Sequence, residues 1–155
     1  MVYDLISSPE FAIPYSSFAA TSVLLQNPNY GASRSRLNLH GAWYPDVDDD
    51  QKRITVDFRE NRLVLSIRTR ILGDPNSNIN SFVIYTGVDD LASLNPVRDS
   101  SDEVVVYDNV NATGIVNHPL PMPIIARYVG LQIVSFDGMY PGINWAIDGC
   151  AVPNE

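Results

Sequence analysis

The chain has 155 residues, is 45% hydrophobic and 18% charged, and carries a formal net charge of −8. Such a chain is long enough to bury a normal core without disulfides or metals, and too apolar to be disordered. Its acidity argues against nucleic-acid binding, which needs a basic face, and against simple electrostatic capture by anionic lipid.

Residues 1–7 lack a basic region followed by an apolar run, so no signal peptide is expected there. No apolar run reaches the roughly 18 residues of a membrane span. Asn27-Pro28-Asn29-Tyr30-Gly31 is a turn cluster. Residues 53–58 alternate Ile54, Val56 and Phe58 against Arg53, Thr55 and Asp57, which predicts a strand. Residues 63–71 alternate in the same way and predict a second strand. A turn follows at residues 73–78, then a strand at 82–86 and one helical turn at 89–94.

Residues 104–107 predict a short strand and 108–111 a turn. His118 precedes Pro119 in a stretch that reads as a proline-rich loop. Tyr128, Gly130 and Gln132 interleaved with Val129, Leu131 and Ile133 predict a strand. A Gly/Pro loop at residues 136–142 and a last strand ending on Gly149-Cys150 close the chain. Eleven prolines forbid long helices. Short strands punctuated by turns predict one all-β domain over residues 1–155, an antiparallel sandwich or barrel with no internal repeat or linker.

The order of these segments resembles the discoidin family, also called factor V/VIII type C domains. Ala20-Thr21-Ser22 resembles its opening strand, and Arg36-Leu37-Asn38 with Gly41-Ala42-Trp43 its "ARLN…GAW" segment. Ile54-Thr55-Val56-Asp57-Phe58 resembles its "VDf" strand, and residues 82–90 a strand ending in a turn. Ala126-Arg127-Tyr128-Val129 and Gly149-Cys150 resemble its last two strands. The resemblance implies an antiparallel jelly-roll β-sandwich of the galactose-binding-domain-like, discoidin type. The family's first cysteine is replaced within Tyr3-Asp4-Leu5, which leaves Cys150 as the lone cysteine. An intracellular origin and a secreted domain that lost a bridge partner both fit this. An aromatic residue that usually precedes the "VDf" strand is replaced by Lys52-Arg53, and the last strand's usual Arg and Glu near Asn144 and Ala146.

In the resembling family, ligands meet loops at one end of the sandwich. Four loops of this chain are expected to converge there, at residues 26–31, 43–50, 71–78 and 136–142. Asn27, Asn29, Asp46, Asp48, Arg68, Arg70 and Asp74 would supply polar contacts, and Tyr30, Phe136 and Tyr140 stacking or apolar anchoring. The bland alternative for Arg68 and Arg70 is a solvated strand face or an ion pair with Asp57. Asp46, Asp48 and Asp50 offer hard oxygens for a structural calcium, although the run lacks EF-hand spacing. Otherwise no cofactor is expected. Asn111-Ala112-Thr113 is a glycosylation sequon that makes Asn111 an acceptor on a secretory route.

His40 and His118 are the only histidines, and no nucleophile elbow, Cys/His metal spacing or phosphate loop is present. Cys150 among apolar neighbours reads as an inert thiol. The expectation is therefore a non-enzymatic, extracellular adhesion module binding a carbohydrate or protein partner. The alternatives are calcium-assisted phospholipid-headgroup binding, with only peripheral membrane contact, and a structural module packed in a homo-oligomer or against neighbouring domains of a longer chain.

Overall fold

A computed structural model describes residues 1–109 and 112–153. Eight strands appear in chain order: β1 (Tyr3–Asp4), β2 (Phe18–Ala20), β3 (Arg53–Arg70), β4 (Ile79–Gly87), β5 (Asn95–Pro96), β6 (Tyr107–Asp108), β7 (Ile115–Phe136) and β8 (Trp145–Ala151). Every ladder between them is antiparallel.

The two long strands carry the architecture. β3 pairs with β7 along its length, but the register breaks between Asp57 and Arg62. Before the break β3 also pairs with β2, and after it with β8, which in turn pairs with β1. The matching late part of β7 pairs with β4. The break thus divides the strands into two groups that share β3 and β7. Ile54, Val56, Leu131, Phe82 and Ile84 from one group and Val64, Ile67, Trp145 and Ile147 from the other meet in one buried cluster. Two groups that bury their apolar faces in one cluster must face each other, which makes the molecule a jelly-roll β-sandwich.

The alternation read at residues 53–58 is the observed one: Ile54, Val56 and Phe58 are buried while their neighbours are half-buried. The two predicted strands at 53–58 and 63–71 are one strand, because the irregularity at residues 58–61, with Arg59 at φ 68°, bends the chain without ending its pairing. The opening strand lies two residues earlier than expected. Residues 89–94 form a 3-10 turn, Leu91–Ser93, capped by the Asp90 carboxylate on Ala92 N. Of residues 104–107, Val104 makes only an isolated bridge to Arg98, and the strand begins at Tyr107.

The expectation of a loop around His118 is corrected. His118 lies within β7, opposite Ile67, and is 5% exposed. Pro121 and Pro123 are accommodated because the β3–β7 register jumps between Ser66–Pro119 and Val64–Ile124, which leaves them without a ladder partner, and Pro119 is the last residue paired before the jump. Asn111 lies outside the described residues.

Candidate functional site

The loops expected to converge do so through backbone hydrogen bonds at one end of the sandwich. In the first, 3-10 turns span Leu24–Gln26 and Pro28–Tyr30. Asn27 Oδ1 accepts from Asn29 N at 3.0 Å, and Pro28 opens the second turn, where its missing N–H costs nothing. Leu25 and Gln26 sit at φ 55° and 53°, a sparsely populated region for such side chains, and Leu25 is turned outward to 79% exposure.

The second loop is tied to the first. Tyr44 N donates to Tyr30 O at 3.1 Å, and Leu24 N donates to Tyr44 O at 2.8 Å. Asp46 Oδ1 accepts from Leu25 N at 3.1 Å. The hub of this loop is Asp49, which accepts from the hydroxyls of Thr21 and Ser22 and from the N–H groups of Gln51 and Lys52. Burial acts against its charge, but these four donors outweigh it and hold the carboxyl at about 2.

The third and fourth loops lie against each other. Tyr140 N donates to Asn76 O at 2.9 Å and Asp137 N to Asn78 O at 3.0 Å. This close approach needs Gly138, at φ 79°, since a Cβ there would stand 2.3 Å from Asn76 Cα.

Between the loops lies a cleft of about 440 Å³ lined by Leu24, Leu25, Tyr30, Tyr44, Val47, Asp74, Ser77 and Tyr140. Each loop contributes. The Tyr30 and Tyr44 rings meet edge to face, with centroids 5.3 Å apart. Burial pushes the Tyr44 hydroxyl up, and the Asp74 charge pushes the same way, against a hydrogen bond with Ser77 that lowers it. Tyr44 therefore stays a neutral donor at physiological pH. The site combines aromatic faces with one carboxylate and several hydroxyls, a chemistry suited to ligands with both an apolar patch and hydrogen-bonding edges.

Of the residues singled out in the sequence, Tyr30, Asp74 and Tyr140 line the cleft. Asn27 caps its own turn, and Asn29 and Asp48 are exposed without lining it. Asp46 braces Leu25. Phe136 stands at the end of β7, with the Lys52 ammonium 5.4 Å from its ring centroid.

Arg68 and Arg70 do not line the cleft. Arg68 forms a bidentate ion pair with Asp148 at 2.7 and 3.0 Å, and Arg70 donates to Asn144 Oδ1 and Leu37 O at 3.2 Å each. The partner of Asp57 is instead Arg127, at 2.8 and 3.0 Å. Asp46, Asp48 and Asp50, expected as calcium ligands, do not form a cluster. Among the described residues no group of three or more His, Cys, Asp or Glu side chains is placed to hold a metal; Asp46 accepts from Leu25 N, and Asp48 and Asp50 are exposed.

Sequence reasoning missed Leu24, Leu25, Tyr44, Val47 and Ser77. Tyr44 carried one available signal: it directly follows the Gly41-Ala42-Trp43 segment, and Trp43 is fully buried with Nε1 donating to Ser22 O at 2.8 Å. A residue fixed beside such an anchor has a defined direction.

Residues 17–147 match the model of the F5/8 type C domain. Among curated proteins, neuropilin-1 of Xenopus laevis is 28% identical over 131 residues; the match covers 80% of this chain and 14% of that protein, so the chain spans about a seventh of its relative. Among solved structures, the F5/8 type C domain of a Bacteroides fragilis protein superposes with a TM-score of 0.71 at 11% identity, covering 90% of this chain and 96% of that one. A family 32 CBM from C. perfringens, solved in complex with galactose, superposes with a TM-score of 0.68 at 17% identity, covering 88% and 96%.

Proposed function

The chain belongs to the F5/8 type C domain family, and from that premise we propose that it is a single extracellular recognition module that takes a carbohydrate in the cleft between its loops. The observation that carries this reading is the lining of the cleft. Tyr30, Tyr44 and Tyr140 line a space together with Asp74, and the buried Ser77 side chain hydrogen-bonds Tyr44 at its wall. A sugar ring presents a C–H patch that packs on an aromatic face, and hydroxyls that donate to a carboxylate and accept from a tyrosine O–H. The module works without chemistry of its own. Among the described residues, the buried histidine is enclosed by Phe82, Tyr107 and Thr69 rather than opening on the cleft.

The structural neighbour bound to galactose lends support to a galactose-type ligand. A second reading, a protein partner docked over the same end, is favoured by one observation: Leu25, which lines the cleft, and Met139, next in sequence to the cleft's Tyr140, are 79% and 56% exposed.

The test is a glycan array followed by titration calorimetry with galactose and N-acetylgalactosamine on the intact chain and on Tyr140→Ala and Asp74→Asn. Binding is expected, weakened about tenfold by each substitution, which corresponds to about 1.4 kcal/mol. A blank array, or binding that both variants leave unchanged, removes the carbohydrate reading and leaves the protein-docking one.

A further inference from the structure

Two sets of backbone carbonyls beneath the loops are closed by N–H donors from the chain itself. The first belongs to residues 36–41. Asn144 is 1% exposed, and the two hydrogens of its Nδ2 are shared among Arg36 O, Leu39 O and Gly41 O at 3.0, 3.3 and 2.8 Å. Its Oδ1 accepts from Arg70 Nε, while Arg70 Nη2 takes the fourth carbonyl, Leu37 O, at 3.2 Å. The second set belongs to residues 47–49. Lys52 is 9% exposed, and its ammonium donates to Val47 O at 3.2 Å and to Asp49 O.

Carbonyl oxygens gathered on a tight turn repel one another and carry a desolvation cost when they lack partners. A hard divalent cation is one way to satisfy them. Here the partners are covalent parts of the chain: an amide held by a guanidinium, and an ammonium. Both sets lead to the cleft. Trp43 and Ile143 exchange N–H···O bonds of 2.9 Å two residues beyond Gly41, and Tyr44, which follows, lines the cleft. Val47, whose carbonyl meets Lys52, also lines it.

We propose that Asn144 and Lys52 are positioning residues that do the work of a structural divalent cation, so that the loop end keeps its shape, and its ligand capacity, without calcium. The inference deepens the recognition reading, but its test needs no ligand, so the two fail separately. It also points away from calcium-assisted capture of phospholipid headgroups.

Asn144→Asp replaces the donating nitrogen by an oxygen, so that one carboxylate oxygen faces the three carbonyls while Arg70 still donates to the other. Thermal unfolding of the intact chain is followed in EDTA and in millimolar calcium. The native chain is expected to unfold at the same temperature in both. Asn144→Asp should lose about 5 °C in EDTA and recover at least half of that in calcium. Lys52→Met should lose stability equally in both, with Lys52→Arg restoring it, which keeps the test open if Asn144→Asp does not fold. A native chain stabilised by calcium by more than about 2 °C overturns the proposal. So does an Asn144→Asp chain as stable in EDTA as the native one, or one that calcium fails to restore.

Discussion

Beside the cleft, the Tyr44 ring packs directly onto Gly142: a Cβ at that position would stand 2.6 Å from Tyr44 Cε1 and 2.9 Å from Leu72 Cδ1. Gly142 N also donates to Ser77 O, so the glycine joins the fourth loop to the third where Ser77 enters the cleft. Gly142→Ala forces the Tyr44 ring to move. It should cost about 1–3 kcal/mol by overpacking and weaken cleft ligands, read by urea unfolding and by calorimetry. An alanine variant with native stability and affinity would show that the contact leaves room.

Asp49 ties the second loop to residues 21 and 22. Its folded carboxyl sits at about 2, below the ordinary 3.8, so it binds its proton more weakly in the fold than in the unfolded chain. The stability it contributes is full above 3.8 and is lost as pH falls from 3.8 through about 2. Asp49→Ala should destabilise the chain by about 1–3 kcal/mol at neutral pH, because the Thr21 and Ser22 hydroxyls and two N–H groups lose their acceptor. The measurement is the urea midpoint at pH 6 against acid pH; the variant's deficit should shrink in acid.

His118 responds in a different window. It is enclosed edge-on by Phe82 and Tyr107, and its Nε2 lies 3.1 Å from Thr69 Oγ1, which also accepts from Asn109 Nδ2 at 3.2 Å. Burial lowers its affinity for a proton, and the Asp108 charge only partly offsets this. With the folded value below 6.5, the unfolded chain takes up the proton first, so stability falls as pH drops below 6.5. Unfolding midpoints between pH 7 and pH 5 should decline for the native chain and lie flatter for His118→Gln, whatever the variant's baseline. Parallel slopes would mean that His118 does not govern this range.

Asp4 carries the opposite sign. It faces Asp148 across the β1–β8 ladder, and Asp148 is already paired with Arg68. Burial raises the Asp4 carboxyl above 3.8, and the Asp148 charge adds to this, against the Ile6 N–H, Ser7 and Arg68, which lower it. The fold therefore prefers Asp4 protonated, and stability declines as pH rises from 3.8 through the raised value. Asp4→Asn keeps an acceptor for Ile6 N and removes the charge. It should match or exceed native stability at pH 7 and lose that advantage below pH 3.8, as followed by thermal unfolding. A variant less stable than the native chain at pH 7 would show the carboxylate to be needed.

The strand at residues 53–58 was legible because period-two alternation is a local property: Ile54, Val56 and Phe58 fall on one face of any extended chain. β7 was not legible through Pro119, Pro121 and Pro123, since only the pairing with β3 reveals that these residues sit at a register jump. The partners of the two arginines were hidden for the same reason. A cation on a strand reads as available until its partner is located, and Asp148 lies 80 residues from Arg68. Tyr30, Asp74 and Tyr140 were found in the loops named by the family pattern, while Leu24 and Leu25 lay just outside the first loop as drawn.

The amino-acid order by itself determined an antiparallel β chain, because apolar alternation and turn residues act over a few neighbours and need no distant partner, while the order of its short motifs carried the resemblance to F5/8 type C domains. The tertiary structure decided which loop side chains meet. The cleft joins Leu24 to Tyr140, and the carbonyls of residues 36–41 find their donors on Asn144 and Arg70. Contacts between residues so far apart in sequence exist only once β3, β7 and β8 have paired, so no local pattern can encode them.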